Sequence, residues 1–208
     1  MDARNLAKMV ALAAARGAVL PVVLMFRAET RGADEHRRRT LFSGYSQALA
    51  MVPGLTGQLV RRVFYGAVLA ECDAQSCIQW GTTFSTPDAV VSRGVYIGAN
   101  CSIGRAVLHE HVTLGSNVHV LSGKNQHGTD DPDAPVQDQP GRFDQIRIGR
   151  NTWLGNGALV LADVGERCVV AAGSVVVDAV PDDSIVGGNP ARIIRRRDPV
   201  TRQWVRPS

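Results

Sequence analysis

The centre of the chain carries an aliphatic residue at nearly every sixth position. The series comprises Val91, Ile97, Ile103, Leu108, Leu114, Val120, Ile148, Leu154, Val160, Val164, Val170 and Val176. One residue slips before Leu108, two are missing before Val164, and a polar stretch precedes Ile148. A period of six is neither the 3.6 of an α-helix nor the 2 of an ordinary strand. It predicts short strands joined by tight corners, three per coil of about 18 residues, with coils stacked at strand spacing.

A second pattern accompanies the first, because wherever the repeat continues the residue four places after each aliphatic is never larger than valine. These positions hold Val95, Cys101, Val107, Val112, Val118, Thr152, Ala158, Cys168, Ser174 and Val180. A narrow interior explains both restrictions, with one branched aliphatic and one small side chain facing inward per strand. Cys101 and Cys168 fall on the small positions. We therefore interpret them as core residues rather than catalysts, since buried thiols behave as small hydrophobes.

The first 66 residues have a helical composition, with Pro53-Gly54 as a break before a second helix. Residues 9–26 are largely apolar, but Arg16 interrupts them and Pro21 is expected to kink a helix. The uninterrupted part, residues 17–26, is too short to span a bilayer. We expect a helix docked on the protein, with peripheral membrane contact as the alternative.

The charge distribution is uneven along the chain. Residues 67–190 hold fourteen acidic and seven basic side chains, whereas residues 1–66 hold four acidic and ten basic ones, and residues 191–208 one and six. The acidic centre and the lack of a nucleic-acid motif argue against nucleic acid as a partner. The basic ends suit an anionic cofactor or an anionic membrane surface. Four cysteines without a C-x-x-C pair, and no evident signal peptide, indicate a reduced, cytoplasmic setting.

The repeat resembles that of the hexapeptide-repeat acyltransferases, over residues 91–197. Residues 146–196 look like the closing coils of maltose, galactoside and exopolysaccharide or lipopolysaccharide O-acetyltransferases, and residues 188–192 read Gly-Asn-Pro-Ala-Arg, a mark of the family. The resemblance implies a mainly β fold: a left-handed parallel β-helix at 67–190 after a mostly helical region at 1–66, with a basic tail at 191–208. It also implies a homotrimer that transfers an acetyl group from acetyl-coenzyme A to a sugar-like hydroxyl.

Such enzymes carry a histidine on an excursion between two coils. Residues 122–145 are too long and too polar to be a coil, and His127 lies near their start, where the family's catalytic histidine is expected. A positioned imidazole can take the proton of a poorly nucleophilic hydroxyl and return one to the thiolate. His119 is the reserve candidate, and His109 and His119 are candidates for substrate contact. The carboxylate that orients His127 stays open among Glu110, Asp130 and Asp131.

The resemblance also implies a coenzyme A groove along the last coils, between two subunits. The positions carried over are Asn156, Ala172, Val177, Asp178, Arg192 and Arg195, and Trp153 is a candidate wall of the acyl pocket or a trimer contact. Arginine suits the cofactor's phosphates. Relatives often have Thr-Lys where Val177-Asp178 stands here, which places one phosphate contact in doubt.

Two other functions compete with acyl transfer. A γ-type carbonic anhydrase has the same kind of scaffold and binds zinc through three histidines. His109, His111, His119 and His127 are the candidate ligands for such a site in this chain. The H-x4-H spacing of that family is missing, however, and its Arg-Gly-Asp signature reads Arg93-Gly94-Val95. We therefore expect no metal. A purely structural β-helix would need neither the histidine-bearing excursion nor the basic C-terminus.

Overall fold

The computed structural model describes residues 3–206, which form three helices followed by a β-helix. The helices are α1 (Ala3–Glu29), α2 (Glu35–Ala50) and α3 (Gly54–Val68). The strands are β1 (Glu71–Cys72), β2 (Cys77–Ile78), β3 (Thr83–Phe84), β4 (Val90–Val91), β5 (Tyr96–Ile97), β6 (Ser102–Ile103), β7 (Ala106–Leu108), β8 (Thr113–Leu114), β9 (His119–Val120), β10 (Ile146–Ile148), β11 (Trp153–Leu154), β12 (Leu159–Val160), β13 (Val169–Val170), β14 (Val175–Val176), β15 (Ser184–Gly188), β16 (Ala191–Arg197) and β17 (Trp204–Val205).

The helical region differs from the sequence expectation in two ways. The segment before Pro53 holds two helices, because Gly32 turns at φ +74° and the Asp34 carboxylate caps α2 by accepting from the Arg37 N–H. Neither Arg16 nor Pro21 interrupts α1, which is continuous across both. The Met9–Glu29 part of α1 is consequently long and apolar enough to cross a membrane, judged by length and composition. No other helix within residues 3–206 meets that test.

The helices dock on the first coil through an aromatic cluster. Phe26 of α1 makes edge contacts with Phe42 of α2 and Phe64 of α3, and the Tyr65 ring lies 4.7 Å from that of Phe84 on β3. The side chains of Phe42, Phe64 and Tyr65 are completely buried. This apolar contact fixes α2 and α3 against the start of the β-helix.

Arg61 of α3 is fully buried and ties three elements together. Its Nε donates to the carbonyl of Ile78 on β2, and its Nη1 donates to the carbonyls of Leu49 and Val52 at the end of α2. Carbonyls at a helix C-terminus lack intrahelical partners, so a cation satisfies them well. Arg61 thus fixes the angle between α2 and the coils.

The strands stack into three sheets that form the faces of the column. We call them face A (β1-β4-β7-β10), face B (β2-β5-β8-β11-β13-β15, extended by β16 and β17) and face C (β3-β6-β9-β12-β14). Neighbouring coils pair in parallel and in register, as in Trp153 with Thr113 and Val169. The architecture is a left-handed parallel β-helix preceded by helices, as the family resemblance implied.

The buried residues confirm the predicted pattern of one branched aliphatic and one small inward-facing residue per strand, with one exception. All twelve aliphatics of the series are buried, with at most 2% of each side chain exposed. Cys101 and Cys168 are also interior, at 1%. Val107 was assigned wrongly: it points outward and is half-buried, while Ala106 and Leu108 face inward. The slip of one residue falls before Val107, at the Gly104-Arg105 corner, rather than after it.

The corners between the faces stack into three columns. In two of these columns the chain turns through residues in the left-handed backbone conformation. One column contains Gly94, His111, Asn151, Arg167 and Asp183, and the other contains Gly81, Asn100, Asn117, Gly157 and Gly173. Each precedes a small interior residue in the sequence. Glycine and asparagine suit this conformation because a Cβ otherwise crowds the backbone.

Candidate functional site: the excursion and face C

The excursion leaves face C after β9 and returns to face A at β10. Its two limbs run side by side, since the Arg142 N–H donates to the Asn125 carbonyl at 2.7 Å and the Asp144 N–H donates to Ser122 at 2.9 Å. Gly141 approaches the Gln126 carbonyl so closely that a Cβ would collide with it. Within 122–145 the only regular element is a short 3-10 turn, Val136–Asp138. The residues around His127 are therefore held by backbone bonds.

His127 lies exposed on the first limb of this excursion. It lines a recess of about 390 Å³ with Asn125, Asp130, Pro140 and Arg142 among its walls. Its imidazole makes no hydrogen bond within residues 3–206, so both ring nitrogens are available. The structure therefore presents the predicted base at the surface of the excursion, without an orienting hydrogen-bond partner among residues 3–206.

The three carboxylates proposed to orient His127 fall in different places. Asp130 lines the same recess as the imidazole. The Asp131 carboxylate instead accepts the Asp133 N–H within a local turn. Glu110 lines a separate cavity with His109 and Asp163. Within one chain, Asp130 is the carboxylate that remains compatible with His127.

Four of the residues expected to contact coenzyme A border the outer surface of face C. Asn156 and Ala172 occupy successive coils at the corner that enters this face, where the Gly173 N–H donates to the Asn156 carbonyl at 2.9 Å. Val177 and Asp178 occupy the corner that leaves it, directly after β14. Between the corners, His119, Leu159 and Val175 stand in register and point outward. The reserve histidine therefore lies on the same face as the predicted cofactor contacts.

The excursion is attached at the same corner as Val177 and Asp178. Lys124 donates to the Val177 carbonyl at 3.5 Å, and its Nζ lies 3.7 Å from a carboxylate oxygen of Asp178. This proximity follows from the strand order, since β9, β12 and β14 are consecutive neighbours on face C. The lysine missing at position 178 has a counterpart in Lys124, which approaches the same corner from the excursion.

The basic C-terminal residues form strands rather than an isolated segment. Arg192 and Arg195 are exposed on β16, which pairs antiparallel with β15 opposite Gly187 and Ile185. Arg167 and Arg197 instead bind Asp183 at 2.7 and 3.2 Å, and these partners lower the pKa of that carboxyl. Arg192 and Arg195 make no salt bridge within residues 3–206, which leaves their charge available to phosphates.

Trp153 points outward on face B, with 53% of its surface exposed. It is in register with Thr113, which pairs in turn with Tyr96, itself 41% exposed. Large aromatic side chains in an exposed row are more typical of a contact surface than of an isolated protein face. The geometry suits either use proposed for Trp153.

The four histidines of the zinc alternative are spread over different parts of the column. His109 lies beside Glu110 at one corner, His111 adopts φ +59° in a left-handed corner, and His119 stands on face C. Among the described residues no group of three His, Cys, Asp or Glu side chains is arranged to hold a metal ion.

Burial raises the pKa of the Cys101 and Cys168 thiols, as expected for interior residues.

Sequence reasoning missed a second cavity, between α2 and the base of the excursion. It has a volume of about 670 Å³ and is lined by His36, Arg39, Thr40, Ser43, Gly44, Gln47, Ser85, Thr86, Arg105, Ser122, Gln126 and Phe143. These residues come from four separate segments, so only the docking of α2 reveals them. The N-terminal region and the excursion thus jointly line one pocket.

Comparison with known proteins gives partial relatives. No family model matches the chain. It is 27% identical over 128 residues to the Escherichia coli K12 protein named "Putative lipopolysaccharide biosynthesis O-acetyl transferase WbbJ", covering 60% of this chain and 65% of that one. It is 46% identical over 55 residues to a Staphylococcus aureus protein named as an acetyltransferase, covering 26% and 28%. The chain thus covers less than two thirds of each relative's length.

Solved structures share the fold. A maltose O-acetyltransferase from Clostridium difficile 630 superposes with a TM-score of 0.62 at 17% identity, covering 76% of this chain and 87% of that one. AntD, an N-acyltransferase from Bacillus cereus in complex with an amino sugar nucleotide and coenzyme A, gives 0.51 at 15% identity, covering 61% and 72%. The hexapeptide repeat, the β-helix and the sequence relatives together fit the hexapeptide-repeat acyltransferase family.

Proposed function

We propose that the protein transfers an acetyl group from acetyl-coenzyme A to a hydroxyl of a saccharide or polysaccharide precursor. One observation carries the proposal: the histidine-bearing excursion leaves face C at the corner occupied by Val177 and Asp178, beside the predicted cofactor contacts. This arrangement supports a site in which acid–base chemistry acts beside a thioester groove. The names of the sequence relatives support acetyl transfer, and that of WbbJ supports an oxygen acceptor on a glycan.

His127 is the general base in this proposal. Its imidazole removes the proton of the acceptor hydroxyl while that oxygen attacks the thioester carbonyl carbon. The C–S bond of the tetrahedral intermediate then breaks, and the imidazolium returns the proton to the departing thiolate. No protein nucleophile is needed, so acetyl-coenzyme A and the acceptor are bound at the same time.

Coenzyme A would lie along face C, from the Asn156–Ala172 corner towards the Val177–Asp178 corner. Ala172 is exposed at this corner, where its carbonyl would be suited to an amide of the pantetheine arm. The exposed guanidinium groups of Arg192 and Arg195 suit the cofactor's phosphates, because arginine binds phosphate through paired N–H donors.

A homotrimer would complete this site. The imidazole of His127 has no partner among residues 3–206 of its own chain, and Trp153 and Tyr96 are exposed on face B on either side of Thr113. In a trimer, face B of one column can close the groove along face C of the next, with Trp153 beside the acyl group. Burial of these rings would stabilise the contact by about 1.5–3 kcal/mol each.

The cytoplasmic side of a membrane is the proposed location. Helix α1 buries Val19, Val23 and Phe26 against the protein yet leaves Leu20 and Leu24 more than half exposed, so it is apolar on both sides. A surface helix of this kind is suited to lipid. Sedimentation with anionic vesicles tests the proposal: Leu20→Ser/Leu24→Ser should abolish co-sedimentation, and a wild-type protein that stays in the supernatant would refute it.

The catalytic proposal is tested by following release of coenzyme A thiol from acetyl-coenzyme A with a panel of saccharides. His127→Ala should lower the rate with the best acceptor about 100-fold or more, because general-base catalysis contributes roughly that much. His111→Asn is the matched control: it removes another exposed imidazole, and asparagine tolerates the left-handed backbone there. Equal rates for wild type and His127→Ala would refute the assignment.

A further inference from the structure

The cavity between α2 and the excursion has the dimensions of a ligand site. Its volume of about 670 Å³ lies within the range usual for small-molecule pockets. One wall is α2, the second is the corner that follows β3 and β6, and the third is the excursion. Gln126, which lines the cavity, directly precedes His127. The cavity and the recess that His127 lines are therefore formed by neighbouring residues of the excursion.

Two arginines give the cavity its charge. Arg39 comes from α2 and Arg105 from the corner after β6. The Nε atoms of both are buried and have no hydrogen-bond partner within the described chain. A buried donor without a partner costs free energy, and anionic oxygens are the strongest acceptors for guanidinium groups. Because both side chains line the cavity, their guanidinium groups suit a ligand with a negative charge.

The two arginines are not equally neutralised by their surroundings. Arg39 already faces carboxylates, since it lies against Glu35 at 2.6 Å and Asp88 at 3.7 Å. Arg105 reaches only the Phe143 carbonyl, at 3.5 Å, and has no salt bridge within residues 3–206. Its charge is therefore the one that a ligand would neutralise.

The remaining walls suit a sugar ring. Thr40, Ser43 and Gln47 of α2 offer hydroxyl and amide groups, and Phe143 supplies an apolar surface that lies 5.7 Å from the Arg39 guanidinium. A few convergent polar groups around an aromatic surface are typical of small-molecule pockets.

We propose that this cavity binds the acceptor and that the acceptor is an anionic saccharide, whose phosphate or carboxylate is bound by Arg105 and Arg39. The inference rests on the proposed acetyl transfer and specifies its acceptor class. The anionic group anchors the sugar beneath α2, so that a hydroxyl projects past Gln126 towards His127.

Binding is measured by calorimetry on the full-length protein with glucose 1-phosphate, glucuronate and glucose. The two anionic sugars should bind at least about tenfold more tightly than glucose, and their ratio separates a phosphate from a carboxylate preference. Arg105→Gln should weaken anionic binding by about tenfold or more. Arg93→Gln is the matched control, because it makes the same change at an exposed side chain outside the cavity.

Equal binding of glucose and the anionic sugars, no binding of any sugar at millimolar concentration, or unchanged binding by Arg105→Gln would overturn the inference. Arg39→Gln and Arg105→Lys provide a second test if Arg105→Gln does not fold, and each should also weaken anionic binding. Failure of the enzymatic proposal looks different: anionic sugars bind through Arg105, but no coenzyme A thiol is released. Acetylation of neutral sugars alone would retain the enzyme and refute the acceptor class.

Discussion

Lys124 and Asp178 connect the excursion to a coil two turns further along the column, with 3.7 Å between Nζ and the nearest carboxylate oxygen. Both side chains are more than half exposed, so the pair contributes little to stability. Its position is more informative than its strength, because Asp178 stands where the cofactor's phosphates are expected. An acid there opposes phosphate binding, and Lys124 offsets that charge.

Asp178→Asn should therefore tighten the cofactor site. We expect the KM for acetyl-coenzyme A to fall severalfold while kcat changes by less than about twofold, because the substitution removes a charge that repels phosphate and leaves Lys124 unpaired. Steady-state kinetics at low ionic strength measure the effect, and added salt should reduce it. Glu71→Gln, an exposed change on face A, serves as the control. A raised or unchanged KM for Asp178→Asn would place the phosphates elsewhere.

Arg61→Met should destabilise the junction between helices and coils. Methionine fills similar volume but leaves the carbonyls of Leu49, Val52 and Ile78 without their donor. We expect the free energy of unfolding to fall by on the order of 3 kcal/mol, measured by urea denaturation. Arg62→Met, at the neighbouring half-buried position, should cost less than about 1 kcal/mol. Equal losses for the two variants would contradict the role given to Arg61.

The interior thiols should be inert while the protein is folded. Cys101 and Cys168 are buried at 1% exposure, and burial raises the pKa of each thiol, so little thiolate forms at pH 8. Peptide mass spectrometry after iodoacetamide treatment should find Cys77, which is half-buried, modified first. Cys101 and Cys168 should react only in urea. Labelling of Cys101 in the native protein at the rate of Cys77 would contradict their interior placement.

The periodic part of the fold could be predicted from the sequence because each coil places the same kinds of side chain at the same inward-facing positions. Residues such as Ile97 and Leu154 fill identical positions, so the period alone fixes their direction. The aliphatic series began only at Val91, although the implied β-helix started at residue 67, because Phe84 replaces the usual aliphatic and the step from it to Val91 is seven residues. Val107 was misassigned because a slip of one residue can be placed on either side of it.

The long-range parts of the site were beyond the sequence. The position of His127 on an exposed excursion could be predicted, because a polar stretch between coils is visible in the chain. Arg39 and Arg105 are separated by 65 intervening residues, and nothing local marks either one, so only the docking of α2 through its aromatic contacts brings them to one cavity. Lys124 likewise meets Asp178 only because the strands on face C stack in register.

Native mass spectrometry of the purified protein with acetyl-coenzyme A tests the central claim most directly. The account predicts a trimer of the 22.3 kDa chain that carries up to three acetyl-coenzyme A molecules, with the same stoichiometry for His127→Ala because that residue acts on the acceptor. A monomer without bound cofactor, or a trimer that does not bind acetyl-coenzyme A, would contradict it.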